Sequence, residues 1–462
     1  VKSAAGPGGR SERIEGNAIG GHAGGMARQR SRPIQNPALR AAIDQAGWTL
    51  AAAAEAINAV GAENDIPLTY GAGAIAHWIA GVVPRDETIP ITVEAFARAL
   101  GRPQLTAEDL GWDAPAMTDI RADPWQGDPV AWLMRLARSD MDRRTALATG
   151  LYSLAALTMP TGPHRILSRS GPGRRAGAAD VARIRATTRH LADMDDLYGG
   201  GNARAAVAGY LAGEIGPLLR GTTGRARPDL FRAASELTYL AGWMAVDAGA
   251  NGLGQGYYIE AVRLAEEAND PLLRATALRS MAIQAIELGH PHRAVDLAEA
   301  AVSGIRRGCP TRTRAWITGA HAEALAAAAD GRDARQILTR AERDLERADS
   351  LPEDAWYGGY RRESFEHQTG TLLASLGDLP EAERHLAASV NTRRPIERRT
   401  RALIAARLAR VQYRRGHRDA AAQTLGRIRT ELTTVASARI RRELAPLPHD
   451  LLPDSPHRNH RS

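Results

Sequence analysis

Residues 272–302 read LLRATALRSMAIQAIELGHPHRAVDLAEAAV, and the spacing of their apolar residues decides the fold. Leu278, Met281, Ala282, Ala285 and Leu288 fall on one helical stripe, and Val295, Leu297 and Ala301 begin a second. Gly289 between them can end the first helix, and Pro291 suits the opening of the next. The stretch is a pair of antiparallel helices. Its small residues, Ala282 in the first helix and Ala294 and Ala301 in the second, mark where the two backbones approach. The distance between crossing helices is set by the side chains at the contact, and Gly, Ala or Ser brings them closest.

The same skeleton recurs along the chain. The position of Ala282 is matched by Gly242, Ala322, Gly370 and Ala409, and that of Ala294 by Gly254, Ala334, Ala382 and Ala421; both series are spaced 40, 40, 48 and 39 residues apart. A third column runs Ala261, Ala301, Ala341, Ser389 and Ile428, drifting in the last repeat. Glycines stand at the turns, at Gly249, Gly289, Gly377 and Gly416, but the third repeat has Ala329 with Gly331 nearby. A helix hairpin that cannot bury its own apolar face stacks on its neighbours, which gives a solenoid. The pattern resembles the tetratricopeptide repeat over residues 230–442. Its period exceeds the usual one of about 34 residues, and most of that repeat's aromatic and proline signature positions are missing.

The totals suit such a fold. At 462 residues the chain has room for about three domains. Only 5% of residues are aromatic, which fits helices packed through small side chains and leaves little for a β-sandwich. A lone cysteine, Cys309, excludes a disulfide framework and a cysteine zinc site. Net charge is +8, and Lys2 is the only lysine. Charge is unevenly spread. Residues 393–461 hold 17 arginines against six acidic residues, whereas residues 38–113 hold four arginines against ten. No apolar run reaches the length of a membrane span. Arg143-Arg144 before an apolar stretch is internal and too short to serve as an export signal. The expected location is the cytoplasm.

Residues 1–35, rich in Gly, Arg and Ser, are expected to be disordered, either a basic arm for a polyanion or an unselected leader. Residues 36–113 carry a second helical unit. Asn36-Pro37 caps a short helix, and Gly47-Trp48-Thr49 turns into a second that runs from Leu50 to Val60. Ala72–Ala80 forms a third and Ile91–Leu100 a fourth. Gly47, Trp48, Thr49, Ala54, Ile75, Trp78, Gly81 and Pro84 resemble the repressor-type helix-turn-helix. The resemblance implies that the third helix lies in the DNA major groove. It places Ala72, Gly73, Ala74 and His77 toward bases and Leu50 toward phosphate. Almost none of these side chains can hydrogen-bond to a base edge, and the acidic balance of the segment repels phosphate.

Beyond this unit, residues 114–160 are expected to contribute one or two amphipathic connecting helices, apolar at Val130, Leu133, Met134 and Leu136, then at Leu147, Leu151 and Leu154. Residues 161–177 form a linker rich in Pro, Gly, Ser and Arg, and residues 178–229 a helical pair. The array of residues 230–442 follows, with a tail at 443–462. The run Gly199-Gly200-Gly201 is a turn, since it lacks the strand and the Lys-Ser/Thr of a phosphate loop. The order of these units resembles actinobacterial helix-turn-helix regulators with tetratricopeptide arrays. The residues that carry this resemblance are His77-Trp78, Gly81 and Pro84, Tyr198 to Gly201, Leu218-Leu219-Arg220, and Leu240 to Trp243 with Asp247. It implies control of sporulation or antibiotic production, exerted through duplex DNA.

No catalytic motif occurs, and His290 and His292 have no acidic ligands beside them in sequence. The chain is expected to be neither an enzyme nor a binder of metal or cofactor. The resemblance to tetratricopeptide arrays implies that the first helices line the concave side; transferred by register, this places Tyr239, Trp243, Arg279, Ile283, Trp316, Glu323 and His367 near a groove for a peptide, small molecule or protein partner. A second copy of the chain is a further expected partner; a membrane is not. The expected fold is all-α, an N-terminal helix-turn-helix bundle followed by an α-solenoid of tetratricopeptide-like hairpins. Two functions fit it: a ligand- or partner-responsive transcriptional regulator, and a repeat scaffold that does not bind DNA.

Overall fold

Asn36 shows how local chemistry starts the first unit. Its Oδ1 accepts from the Leu39 amide at 2.9 Å, capping α1 (Pro37–Gln45), while its Nδ2 donates to the Leu110 carbonyl at 2.9 Å and ties the unit's two ends together. The computed structural model describes residues 34–113, 125–141, 151–159, 174–305, 309–348 and 359–452, and every regular element among them is a helix. The expected N-terminal arm and most of the expected linker lie outside the described residues.

Thr49 caps α2 (Leu50–Glu63), which runs one turn past Val60. Gly61 allows this, because a Cβ there would lie 2.8 Å from the Leu68 side chain in the loop that follows. Next come α3 (Ala72–Ile79) and α4 (Thr88–Leu100). Trp48 packs on Phe96 at 5.0 Å, and Trp78 meets Tyr70 and Trp112 edge-on. The result is a closed helix-turn-helix bundle.

Of the one or two expected connecting helices, α5 (Pro129–Met141) is present, and Leu147 lies outside the described residues. Residues 151–159 form no α-helix, only one 3-10 turn at Ala155–Leu157. Distant side chains satisfy this backbone in place of helical bonds. The amides of Tyr152, Ser153 and Leu154 donate to Asn64 Oδ1, Gln255 Oε1 and Glu94 Oε1 at 2.9, 2.9 and 3.1 Å. Leucine spacing alone could not reveal those partners. Then α6 (Ala178–Tyr198) leads into α7 (Gly200–Tyr210), a π-helical turn at Leu211–Ile215, and α8 (Gly216–Gly221).

Stacked hairpins follow: α9 (Ala226–Asp247) with α10 (Asn251–Glu267), α11 (Pro271–Glu287) with α12 (Pro291–Ser303), and α13 (Thr311–Ala327) with α14 (Gly331–Glu346). The stack ends with α15 (Arg362–Ser375) and α16 (Leu379–Thr392), then α17 (Arg398–Arg414) and α18 (Arg418–Arg427). The alanines of the first two small-residue columns are fully buried. A Cβ on Gly242 would lie 2.7 Å from the Tyr258 ring and 3.2 Å from the Gly254 carbonyl oxygen. On Gly370 it would lie 2.6 Å from Leu386 and 3.1 Å from the Ala382 carbonyl oxygen. The expected crossings are therefore where the two helices of each hairpin touch.

The array ends with α19 (Arg429–Thr434) and α20 (Ala438–Leu444), which add no further hairpin. Instead the chain turns inward. The Ala436 amide donates to the Tyr198 carbonyl at 3.1 Å, and Ser437 Oγ donates to the buried Asp247 at 2.7 Å. The solenoid thus closes on its own beginning, with α17 beside α6 and α20 beside α9.

Turn residues Gly249, Gly289, Gly377 and Gly416 all have φ between +83° and +92°. Ala329 holds the same turn at φ +65°, where a Cβ clashes with its own carbonyl. Ala329→Gly should stabilise the protein by about 1 kcal/mol. Urea unfolding measures this, and a variant no more stable than the parent contradicts the strain assignment.

Candidate functional site

The groove residues expected from register lie on α9, α11, α13 and α15, the first helices of four successive hairpins, and most of them make polar or ring contacts there. Tyr239, almost fully buried, meets Ser280 Oγ at 2.9 Å and stacks obliquely on Tyr258. The Arg279 guanidinium lies 4.1 Å above the Trp316 ring. Gln368 donates to Glu323 at 2.5 Å. Burial raises the Glu323 carboxyl above its ordinary range, although Arg279 pulls it back. His367 accepts from Arg407 at 2.9 Å, and Ile283 lies half-buried on α11. Trp243 sits beneath two cations, Arg439 at 4.8 Å and Arg399 at 5.2 Å from the ring centre.

Arg439 comes from α20, so the chain's own C-terminal helix covers this part of the inner surface. Its guanidinium bonds Glu287 Oε2 at 3.0 Å, and Arg407 reaches Glu287 from the opposite wall at 3.0 Å. Arg407 also donates to Glu443 of α20 at 2.8 Å. Burial pushes the Glu287 carboxyl up, but Arg439 and Arg407 outweigh it and hold it below the ordinary value. Nearer the seam, Arg399 bonds Asp195 and Asp196 at 3.1 and 3.2 Å, joining the last hairpin to α6. Sequence register missed Glu287, Arg399, Arg407 and Arg439. The one available signal was a row of arginines inside the otherwise apolar run of α17.

The glycine run belongs to the same seam: Gly199 alone makes the turn between α6 and α7, and Gly200 and Gly201 form the first residues of α7. Gly199 has φ +89°, and a Cβ there would lie 2.4 Å from the Ala436 carbonyl oxygen. A Cβ on Gly200 would lie 2.3 Å from that of Met244, and the Gly200 amide donates to Asp247 at 3.0 Å.

Beside this seam, the bundle is anchored by the C-terminal end of α2, where Asp65 and Ala438 both approach Gly249. Glu63 bonds Arg98 at 2.9 Å and His290 at 3.2 Å, and His290 stacks on Tyr152 with ring centres 5.7 Å apart. Asn251 donates to the Glu63 carbonyl and Arg98 to that of Tyr152. His290 is thus a contact between bundle and array. Its neighbour His292 is exposed, and no group of residues able to hold a metal occurs among the described residues.

The opposite end of the bundle faces outward. Ala72, Gly73 and His77 on α3 are exposed, Ala74 is half-buried, and Leu50 opens α2 with its side chain partly packed on the bundle core. A Cβ on Gly73 would meet nothing within 4 Å. Val82 and Val83, just past α3, are more than half exposed. The expected base-facing positions are thus small or apolar except for His77.

A family model described as the SP15 N-terminal domain matches residues 39–113, the bundle alone. No curated protein and no solved structure matches the chain. Among the described residues no helix is long and apolar enough to cross a membrane.

His367 offers a direct test of the buried network. Burial, then the cations Arg407, Arg393, Arg439 and Arg279, hold its pKa well below the ordinary 6.5. The folded chain therefore refuses a proton that the unfolded chain accepts. The stability this neutral ring contributes is complete above pH 6.5 and is lost as pH falls, by at most about 1.4 kcal/mol per pH unit. His367→Gln keeps an acceptor for Arg407 and removes the titration. Between about pH 6.5 and 5 the variant should lose less stability than the parent in urea unfolding; parallel profiles contradict the assignment.

Proposed function

We propose that the chain is a transcriptional regulator whose repeat array senses a peptide, small molecule or protein partner and passes that state to the helix-turn-helix bundle. The observation that carries this reading is the way the bundle is mounted. Its α2 end is fixed to the array through Glu63, Arg98, Tyr152 and His290, while the α3 face is left uncovered. A change in the stacking of the first hairpins moves His290 and Asn251, and with them the orientation of the whole bundle. Closure over α20 gives such an equilibrium a second state, because a ligand that binds the inner surface with α20 displaced shifts the population toward the open array. The resemblance to actinobacterial developmental regulators supports sporulation or secondary metabolism as the process controlled.

One observation favours a second reading, a scaffold that uses the bundle for protein contact. Of the residues expected to face bases, only His77 carries a donor for a base edge, and the bundle carries four arginines against ten carboxylates over residues 38–113. In the regulator reading, affinity for DNA therefore comes mainly from arginines outside the bundle, with α3 supplying shape and one polar contact.

Fluorescence anisotropy of the full-length protein on recovered chromatin fragments and scrambled controls separates the two. The regulator reading expects a steep fall in affinity with salt, as arginine contacts release counterions. His77→Ala should cut discrimination between the two DNAs by about fivefold or more. Removal of residues 1–35 should weaken both alike. If the parent protein shows no preference at any salt concentration, the scaffold reading takes its place.

A further inference from the structure

Away from the inner surface, a cavity of about 440 Å³ opens between the end of α12, α13 and α14. Val302 and Ile305 form its apolar side, and Thr318, Arg314, Arg340, Arg343, Asp344 and Arg347 complete it. Arg314 and Asp344 form a two-pronged pair, with Nε and Nη2 donating to the two carboxylate oxygens at 2.7 and 2.6 Å. That pair neutralises the only carboxylate in the lining and holds the Arg314 guanidinium rigid beside the cavity. Asp344 is nearly buried, so the plate is fixed from behind.

The other three arginines, Arg340, Arg343 and Arg347, have no carboxylate partner among the described residues, and the nearby Glu342 is engaged by Arg362. They lie three and four residues apart, on one face of the last turns of α14. Cations near a helix C-terminus are ordinary, since they complement its dipole. Here, however, three of them converge on a concavity with a fourth held in place by another helix, and the volume falls in the range of small-molecule sites.

We propose that this cavity binds a small molecule bearing a chain of two or more phosphate groups. Guanidinium forks match phosphate oxygens in pairs. A single carboxylate would match one of these three guanidinium groups, whereas a terminal phosphate carries about 1.5 to 2 negative charges and three acceptor oxygens. Val302 and Ile305 accept the uncharged remainder of an esterified ligand. The site owes nothing to DNA binding and stands whichever role the bundle has.

The test is titration calorimetry on the full-length protein at near-physiological salt, with tripolyphosphate, ATP and adenosine as probes. Tripolyphosphate or ATP should saturate one site and adenosine should give no heat; the relative affinity of the first two tells a free phosphate chain from an esterified one. Arg340→Glu with Arg343→Glu should weaken binding about 30-fold or more. Arg335→Glu, on the same helix with its guanidinium turned to the Gly331 carbonyl, should change it less than about threefold. Thermal unfolding checks that the double variant folds, and Arg343→Gln replaces it if it does not. No saturable binding of either phosphate probe overturns the site. So does binding that survives the substitutions, or that Arg335→Glu weakens as much.

Discussion

The structure depends on how closely two helix backbones can approach. At Gly242 with Gly254, Ala282 with Ala294, and Gly370 with Ala382, the paired crossing residues themselves carry nothing larger than a methyl. Close crossing fixes the angle of each hairpin, and five such hairpins in succession fix the curvature of the stack. The curvature in turn brings α17 back to α6, so that Arg399 meets Asp195 and Ala436 meets Tyr198. A change of one methylene at a crossing would be felt at the seam, because each hairpin adds its rotation to the next.

Closure explains why so much charge sits inside this chain. An isolated arginine in the interior would cost several kcal/mol, and such a residue persists only when carboxylates and further hydrogen bonds surround it. Arg407 and Arg439 share Glu287, and Arg407 also holds Glu443 and His367, so four elements meet at one set of ions. Replacing such ions by apolar side chains could well be stabilising, but removing one partner strands the rest. The arrangement joins α20 to the array through ion pairs, and in the function proposed above an anionic ligand would compete with Glu287 and Glu443 for the same arginines.

Much of this was legible in the residues themselves. The two small-residue columns could be aligned by register, and the odd Ala329 takes the positive φ of the glycines it replaces. Register also brought Tyr239, Trp243, Arg279, Trp316, Glu323 and His367 to the inner helices, since helical period and repeat period together decide which face looks inward. Long-range pairing was not legible. Leu151 and Leu154 belong to a run with helical spacing, yet residues 151–159 form no α-helix, and Asn64, Gln255 and Glu94 occupy the amides of Tyr152, Ser153 and Leu154 from far away in sequence. The same holds for α20, whose place inside the ring follows from accumulated curvature rather than from any local signal, and for His290, whose partners Glu63 and Tyr152 belong to other units.

The central claim is that the solenoid closes around its own C-terminal helix. A helix of seven residues has no stability of its own in water, so any protection of its amides against hydrogen exchange must come from docking. Native-state exchange of the full-length protein therefore tests the claim directly. The account expects the amides of Ala438–Leu444 to be protected and to open together with those of α17, as one cooperative unit. Exchange of Ala438–Leu444 at the rate of an unstructured chain, with α9 to α17 still protected, would contradict it.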